Sequence, residues 1–417
     1  MTWFPLTALL PLIAFGNCDP NIFQLNKYST GSTVTFDYVE HGAKLYLASN
    51  DDNSFLKNIE IISGGTITTL DTINGYTAGY TPMSLTITGG LSLRTTNNDT
   101  ITNVLTGYLY VTTKEQADDP SFAVYVLKNR QAITTPDKKS TVVILNTELV
   151  TDSTDIDKPL KTSYVTAINQ SPDTNMRFHW GFPAANWTNV TINQFFENPL
   201  YIENYDYDGK LYNSTKAFFD NVEPLQIGLD CWYITTDGPA VAMILESKYV
   251  SNHVYTTTAV NATGLIVNSL IYKQHEVNFL LDYTRTRTVG TLISVFPISD
   301  DYISFYLSEN NGGQIVQNYN KKTNIKHGLL TTYMQASKLT INSTSIFPGV
   351  FYCQYYGFTG DLIPVTSTVV QTSSTISSTS AVSTSTVVTT TKSSSTQSII
   401  QILCITVALV FFLIILI

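Results

Sequence analysis

Between Cys18 and Gly360 the dominant signal is short runs in which apolar residues alternate, and no stretch sustains the three-to-four-residue spacing of an amphipathic helix. Val34, Phe36 and Tyr38 alternate, as do Leu45 and Leu47, Leu91 and Leu93, Tyr108 and Tyr110, and Phe279 and Leu281, with Gly, Asn, Asp and Pro between the runs. Successive side chains of a strand point to opposite faces, so each run has one face that must be covered by another layer of structure. The expected fold class is therefore all-β, built as tandem antiparallel β-sandwich modules of the jelly-roll kind. One short helical turn is expected at 193–198.

A local arrangement recurs. Leu91-Ser92-Leu93 followed by a turn and Gly107-Tyr108-Leu109-Tyr110-Val111 is echoed by Leu339-Thr340-Ile341, a turn and Gly349 to Cys353. In the middle of the chain, Leu229 to Ile234 runs through Thr235-Thr236-Asp237-Gly238 into Val241 to Leu245. Each reads as the closing hairpin of a module. Boundaries near residues 130 and 250 then divide the body into modules at 17–130, 131–250 and 251–364, each of ordinary domain size; two larger domains are the other division the pattern allows.

The two ends set the compartment. Leu6, Ala8, Leu9, Leu10, Leu12, Ile13, Ala14 and Phe15 form an apolar run, with Ala14 and Gly16 at small-residue positions suited to signal peptidase. Residues 1–16 are read as a signal peptide. Residues 399–417 are apolar apart from Gln401 and Thr406, and no Lys or Arg follows them. A retained membrane span normally carries basic residues on its cytoplasmic side. The segment is therefore expected to be the signal for a glycosylphosphatidylinositol anchor attached at Ser393, with a single retained span as the alternative. Between body and tail, residues 365–398 are almost entirely Ser, Thr and Val with one charge, Lys392, which is the composition of an O-glycosylated stalk rather than a core. The location implied is the outer face of the plasma membrane.

Composition supports an extracellular role. Charged residues are 13%, well under the roughly 25% of ordinary soluble proteins. The net charge of −9 denies the chain the positive field that holds phosphates, which excludes nucleic acid as a partner. Sequons begin at Asn98, Asn186, Asn189, Asn213, Asn261 and Asn342, with a poorer one at Asn169, and in a secreted chain these are glycan acceptors. With Cys404 in the tail, Cys18, Cys231 and Cys353 face an oxidising lumen. Cys231 with Cys353 is the expected disulfide; two separate buried thiols is the reading set beside it.

The stretch from Ser32 to Thr113 resembles the divergent CUB-like domain of nematode secreted proteins. The matching features are the strand at Val34 to Tyr38, the strand Leu45-Tyr46-Leu47 with the acidic loop Asn50-Asp51-Asp52-Asn53 after it, and the closing pair Leu91-Ser92-Leu93 and Gly107-Tyr108. The resemblance implies a compact CUB-like sandwich that binds proteins or glycans, with a part in host defence or protection of an epithelial surface. The paired cysteines usual within such a module are missing, and Lys57-Asn58-Ile59-Glu60 stands where calcium-binding members carry an acidic and aromatic strand.

Catalysis is not expected. The five histidines, His41, His179, His253, His275 and His327, sit in no recognisable frame, and there is no nucleophile elbow, zinc helix or phosphate loop. No cofactor is expected. Asn204-Tyr205-Asp206-Tyr207-Asp208-Gly209 spaces its oxygens like the opening of a calcium loop, but the closing carboxylate is replaced by Thr215, and a hairpin turned on Asp208-Gly209 is the competing reading. Asp51 and Asp52, like Asp300 and Asp301, are further metal candidates set against ordinary turn acids. The function expected is a membrane-anchored surface glycoprotein that binds an extracellular protein or glycan. A coat protein acting by bulk and glycans alone, or a degenerate enzyme, is the alternative. No oligomeric state is implied.

Overall fold

The alternation is plainest in the strand Ile59–Ser63, where Ile59, Ile61 and Ser63 are buried while Glu60 and Ile62 are half-exposed. In this computed structural model the described residues run from 21 to 359, leaving out 26–32, 96–104, 136–137, 148–162, 184–193, 206–210, 239–241, 248–252, 258–260, 268–272, 280–286, 296–301, 310–311, 321–327, 333–335 and 345–350. They belong to one compact unit that ends at Val365. The protein is all-β. Its described helices are single turns, Asn53–Leu56, Leu70–Ile73 and Lys114–Asp118.

The strands form sheets that share cores in pairs. A four-stranded sheet in the order Asn21–Gln24, Tyr108–Val111, Lys44–Ala48, Leu85–Thr86 lies against another in the order Thr33–Phe36, Leu91–Thr95, Ile59–Ser63, Thr66–Thr69. Leu45, Leu47, Leu109 and Val111 of the first meet Ile59, Ile61, Leu91 and Leu93 of the second. In the same way a five-stranded sheet, Gln194–Asn198, Met176–Trp180, Cys231–Thr236, Ser140–Asn146, Phe122–Leu127, shares a core with the four-stranded sheet Gln131–Thr134, Ala242–Ser247, Ser163–Asn169, Leu225–Ile227. Two five-stranded sheets follow: Asn221–Val222, Ala262–Val267, Phe351–Thr359, Arg287–Val295, Gly328–Thr332, and Val254–Thr257, Gln274–Phe279, Ala336–Ser343, Tyr302–Glu309, Gln314–Asn320. Ile266 and Cys353 of the one pack with Val277, Phe305 and Ile341 of the other.

Some strands are buried on both faces. Tyr108–Val111 and Ser140–Asn146 show no exposed position. Their second faces meet each other: Tyr46, Tyr108 and Tyr110 pack with Val124, Val143, Leu145, Cys231 and Tyr233 in a further core. The period of two that sends Leu109 into one core therefore sends Tyr108 and Tyr110 into the next.

The structure departs from the sequence expectations in several places. The recurring pairs are real strands, but none is a hairpin. Leu91–Thr95 and Tyr108–Val111 lie in different sheets, as do Cys231–Thr236 and Ala242–Ser247, and Ala336–Ser343 and Phe351–Thr359. Each is an arch that crosses from one sheet to its partner. Not every pairing is antiparallel: Phe122–Leu127 with Ser140–Asn146, Asn221–Val222 with Ala262–Val267, and Val254–Thr257 with Gln274–Phe279 run parallel. The turn expected at 193–198 is instead the strand Gln194–Asn198, because Phe195 and Phe196 are both wanted in the core against Phe178. The helix Lys114–Asp118 was not anticipated. Its Thr113 and Gln116 form a reciprocal capping box, the Thr113 hydroxyl accepting from Gln116 N and the Gln116 side chain accepting from Thr113 N, both at 3.1 Å.

Candidate functional site

The terminal strand Leu225–Ile227 of one sheet and the terminal strand Val254–Thr257 of another both contribute to a cleft of 170 Å³. Tyr164, Glu223, Gln226, Tyr255, Thr256 and Tyr355 line it. Tyr355 forms the floor, 2% exposed, its ring 6.2 Å from Phe279 in an edge contact and 6.2 Å from Tyr255. Gly264 makes this seat possible, since a Cβ there would stand 2.3 Å from the Tyr355 hydroxyl. Burial pushes the Tyr355 hydroxyl to a pKa well above its ordinary value, and the nearby Glu223 carboxylate adds to the effect. Burial also raises Tyr164, with Glu246 contributing. Glu223 is held in place through its backbone, whose N–H donates to Thr263 O at 2.8 Å. Among the described residues no Lys, Arg or His lines the cleft. The lining thus combines three tyrosines with a carboxylate, an amide and a threonine.

The acidic loop has a different task. Asp51 Oδ2 accepts from Thr106 N at 2.8 Å and lies 2.8 Å from Ser49 Oγ, while its Oδ1 accepts from the Thr106 hydroxyl at 3.1 Å. It ties the end of one strand to the approach of the next. Asp52 caps the turn Asn53–Leu56, accepting from Ser54 N at 2.7 Å, and that bond holds its carboxyl below the usual range. Both candidates for metal binding are thus acids committed to backbone and hydroxyl donors. Asp206, Asp208, Asp300 and Asp301 lie outside the described residues, although Leu200–Tyr205 and Leu211–Ala217 on either side of Asp206 and Asp208 pair antiparallel. Among the described residues no three His, Cys, Asp or Glu side chains gather as metal ligands would. His179 is buried, stacked on Tyr233 at 4.6 Å with its Nε2 3.0 Å from the Thr235 hydroxyl, and buried His275 sits opposite Ile341 in its sheet. Neither reaches the cleft.

Against known families the outcome is definite. The model of a family described as "Glycoprotein: Transmembrane glycoprotein" matches residues 40–408, well over half of the chain. The chain belongs to this transmembrane glycoprotein family. No curated protein matches it in sequence. The nematode CUB-like resemblance is thereby overturned. Alternating strands and an acidic loop, on which that resemblance stood, are general to β proteins, and its closing hairpin is an arch between sheets.

Membership of a transmembrane glycoprotein family places the protein at a membrane or cell surface. The apolar tail at 399–417, Ser393 and the leader at 1–16 lie outside the described residues, and among those described no helix is long and apolar enough to cross a membrane. Of the sequons, Asn98, Asn186 and Asn189 also lie outside. Asn342 is exposed on the strand Ala336–Ser343, between Gln274 and Ser304 of the neighbouring strands. Asn261 is half-buried at φ 56°, at the entry to the strand Ala262–Val267, and Asn213 lies on Leu211–Ala217. Cys231 and Cys353 are not joined: each is a buried thiol, Cys231 donating to Gly181 O at 3.3 Å. They pack in different cores, Cys231 against Tyr110 and Tyr233 and Cys353 against Ile266 and Val277, so the expected disulfide gives way to two thiols that fill space.

Proposed function

We propose that this glycoprotein stands on the outer surface of a membrane, carried by its apolar segment at 399–417 and raised by the Ser/Thr stalk at 365–398, and that its β body binds an extracellular protein or glycan without catalysing a reaction. The three sheet pairs are read as tandem β-sandwich modules. The observation carrying the binding role is the cleft at Tyr164, Glu223, Tyr255 and Tyr355, a concave site lined by aromatic and polar side chains. The family description favours a retained span over the lipid anchor at Ser393.

Two measurements test the reading. The full chain displayed on cells is expected to bind a glycan array or an extracellular protein preparation saturably; purely linear, unsaturable uptake would overturn the binding role. Treating those cells with a phosphatidylinositol-specific phospholipase is expected to leave the protein on the surface, and its release would restore the lipid anchor.

A further inference from the structure

We infer that Lys128 and Asn74 join covalently, the lysine amine displacing ammonia from the asparagine side chain to leave an isopeptide bond between two sheet pairs. The inference is independent of the cleft described above.

The two residues come from different parts of the fold. Asn74 ends the single turn Leu70–Ile73, whose Leu70 and Ile73 belong to the first core, and Lys128 follows the strand Phe122–Leu127 of the second sheet pair. Their segments are docked on each other, since the Tyr76 hydroxyl donates to Val126 O. Lys128 Nζ meets Asn74 Oδ1 across 54 residues of sequence.

The surroundings suit an attack on this carboxamide. Asn74 Nδ2 donates to Asn53 Oδ1 at 2.6 Å and lies 3.5 Å from Asp51 O, which turns Asn74 Oδ1 toward Lys128. Attack needs the neutral amine. Lys128 is half-buried, and loss of water lowers its pKa, an effect that nearby Asp51 only partly offsets. Asp51 also supplies a proton carrier. Its Oδ1 accepts one hydrogen bond among the described residues, from the Thr106 hydroxyl, so the carboxylate has room to take a proton.

In the step, a bond forms between Lys128 Nζ and Asn74 Cγ as the Cγ–Nδ2 bond breaks. The proton lost by Nζ passes through the Asp51 carboxyl to the departing nitrogen, which leaves as ammonia. An amine and a primary amide become a secondary amide, with nothing oxidised or reduced and no co-reactant. The product is a permanent brace between sheet pairs, which suits a surface protein exposed to proteases. An ordinary hydrogen bond between the same atoms is the alternative, and mass separates the two.

Tandem mass spectrometry of the full-length glycoprotein, purified from cells and digested with trypsin, tests this. Trypsin cuts after Lys and Arg but not after an acylated lysine. The bond therefore predicts residues 58–94 joined to residues 115–130, about 17 Da lighter than the two peptides together. Neither stretch holds a sequon. Lys128→Arg keeps the charge and a donor toward Asn74 but is no nucleophile, and is expected to abolish the joined peptide. Asp51→Asn is expected to slow its formation about a hundredfold in a pulse-chase. Separate peptides with Asn74 and Lys128 intact, Asn74 hydrolysed to aspartate beside an unmodified Lys128, the same mass loss in Lys128→Arg, or an unchanged rate in Asp51→Asn would each overturn the inference.

Discussion

Gln354 shows how much one side chain can hold. Fully buried, it accepts from Glu197 N at 3.0 Å, donates to Glu197 O at 2.8 Å and donates to Thr263 Oγ1 at 3.0 Å. Its amide thus behaves like one rung of a ladder between the strands Gln194–Asn198 and Phe351–Thr359, which belong to different sheets. Gln354→Ala removes these three buried hydrogen bonds together and is expected to cost about 2–4 kcal/mol, measured by chemical denaturation. The buried tyrosines give a second prediction. Burial drives the Tyr233 hydroxyl up to about 12, with Cys231 contributing, and Tyr108 and Tyr110 also well above their ordinary value. The folded state keeps these protons while the unfolded chain loses them near pH 10, so stability is whole below pH 10. It falls as pH rises toward 12, by up to about 1.4 kcal/mol per pH unit for each such group. Tyrosinate absorbance followed during alkaline titration should rise together with unfolding; ionisation of all tyrosines near pH 10 in the folded protein would contradict it. In the sequence, these residues were legible only as strand formers, since one alternating pattern serves a core and a surface equally.

At the level of elements, short local signals do precise work. The capping box at Thr113 satisfies two amide groups, and the Gln116 amide also donates to Pro183 O at 3.2 Å, so the turn Lys114–Asp118 is held from both sides. Thr113→Ala is expected to cost about 1 kcal/mol, read as a lowered thermal midpoint. The box was visible as Thr-Lys-Glu-Gln, but five residues bear no helical stripe to draw attention to it. Gly107 is a stricter requirement. It sits at φ 91°, and a Cβ there would meet Ala48 O at 2.1 Å, immediately before the buried strand Tyr108–Val111. Gly107→Ala combines a left-handed backbone penalty with that collision and is expected to cost at least about 2 kcal/mol, enough to reduce surface expression measurably. The arches were the element the sequence could not describe. Two strands and a turn look alike whether they pair or part, and only the cover each face requires separates the cases.

Across the whole molecule the sheet pairs are tied to one another. Tyr46, Tyr108 and Tyr110 form a common core with Val143, Leu145 and Tyr233, the Tyr108 hydroxyl donates to Asp230 O at 2.7 Å, and Asn221–Val222 adds itself to the sheet of Ala262–Val267. Burying aromatic and aliphatic surface between sheet pairs couples their unfolding. Calorimetry on the full chain is expected to show one cooperative transition, with calorimetric and van't Hoff enthalpies in agreement; separate endotherms would show that the pairs melt independently. The exposed Asn342 yields a check on surface display: Asn342→Gln is expected to remove one N-glycan, seen as a loss of endoglycosidase-sensitive mass.

The amino-acid sequence alone determined that this is a β protein, because a period of two with no helical stripe leaves only sheets able to bury the apolar faces. Its matched span likewise determined the family. Tertiary structure decided which strands pair and which cross between sheets, that Cys231 and Cys353 lie in separate cores, and that Tyr164, Tyr255 and Tyr355 converge on one cleft. Those matters depend on bringing together residues as far apart as 164 and 355, which line one cleft, and local alternation holds no record of which distant strand will supply the cover.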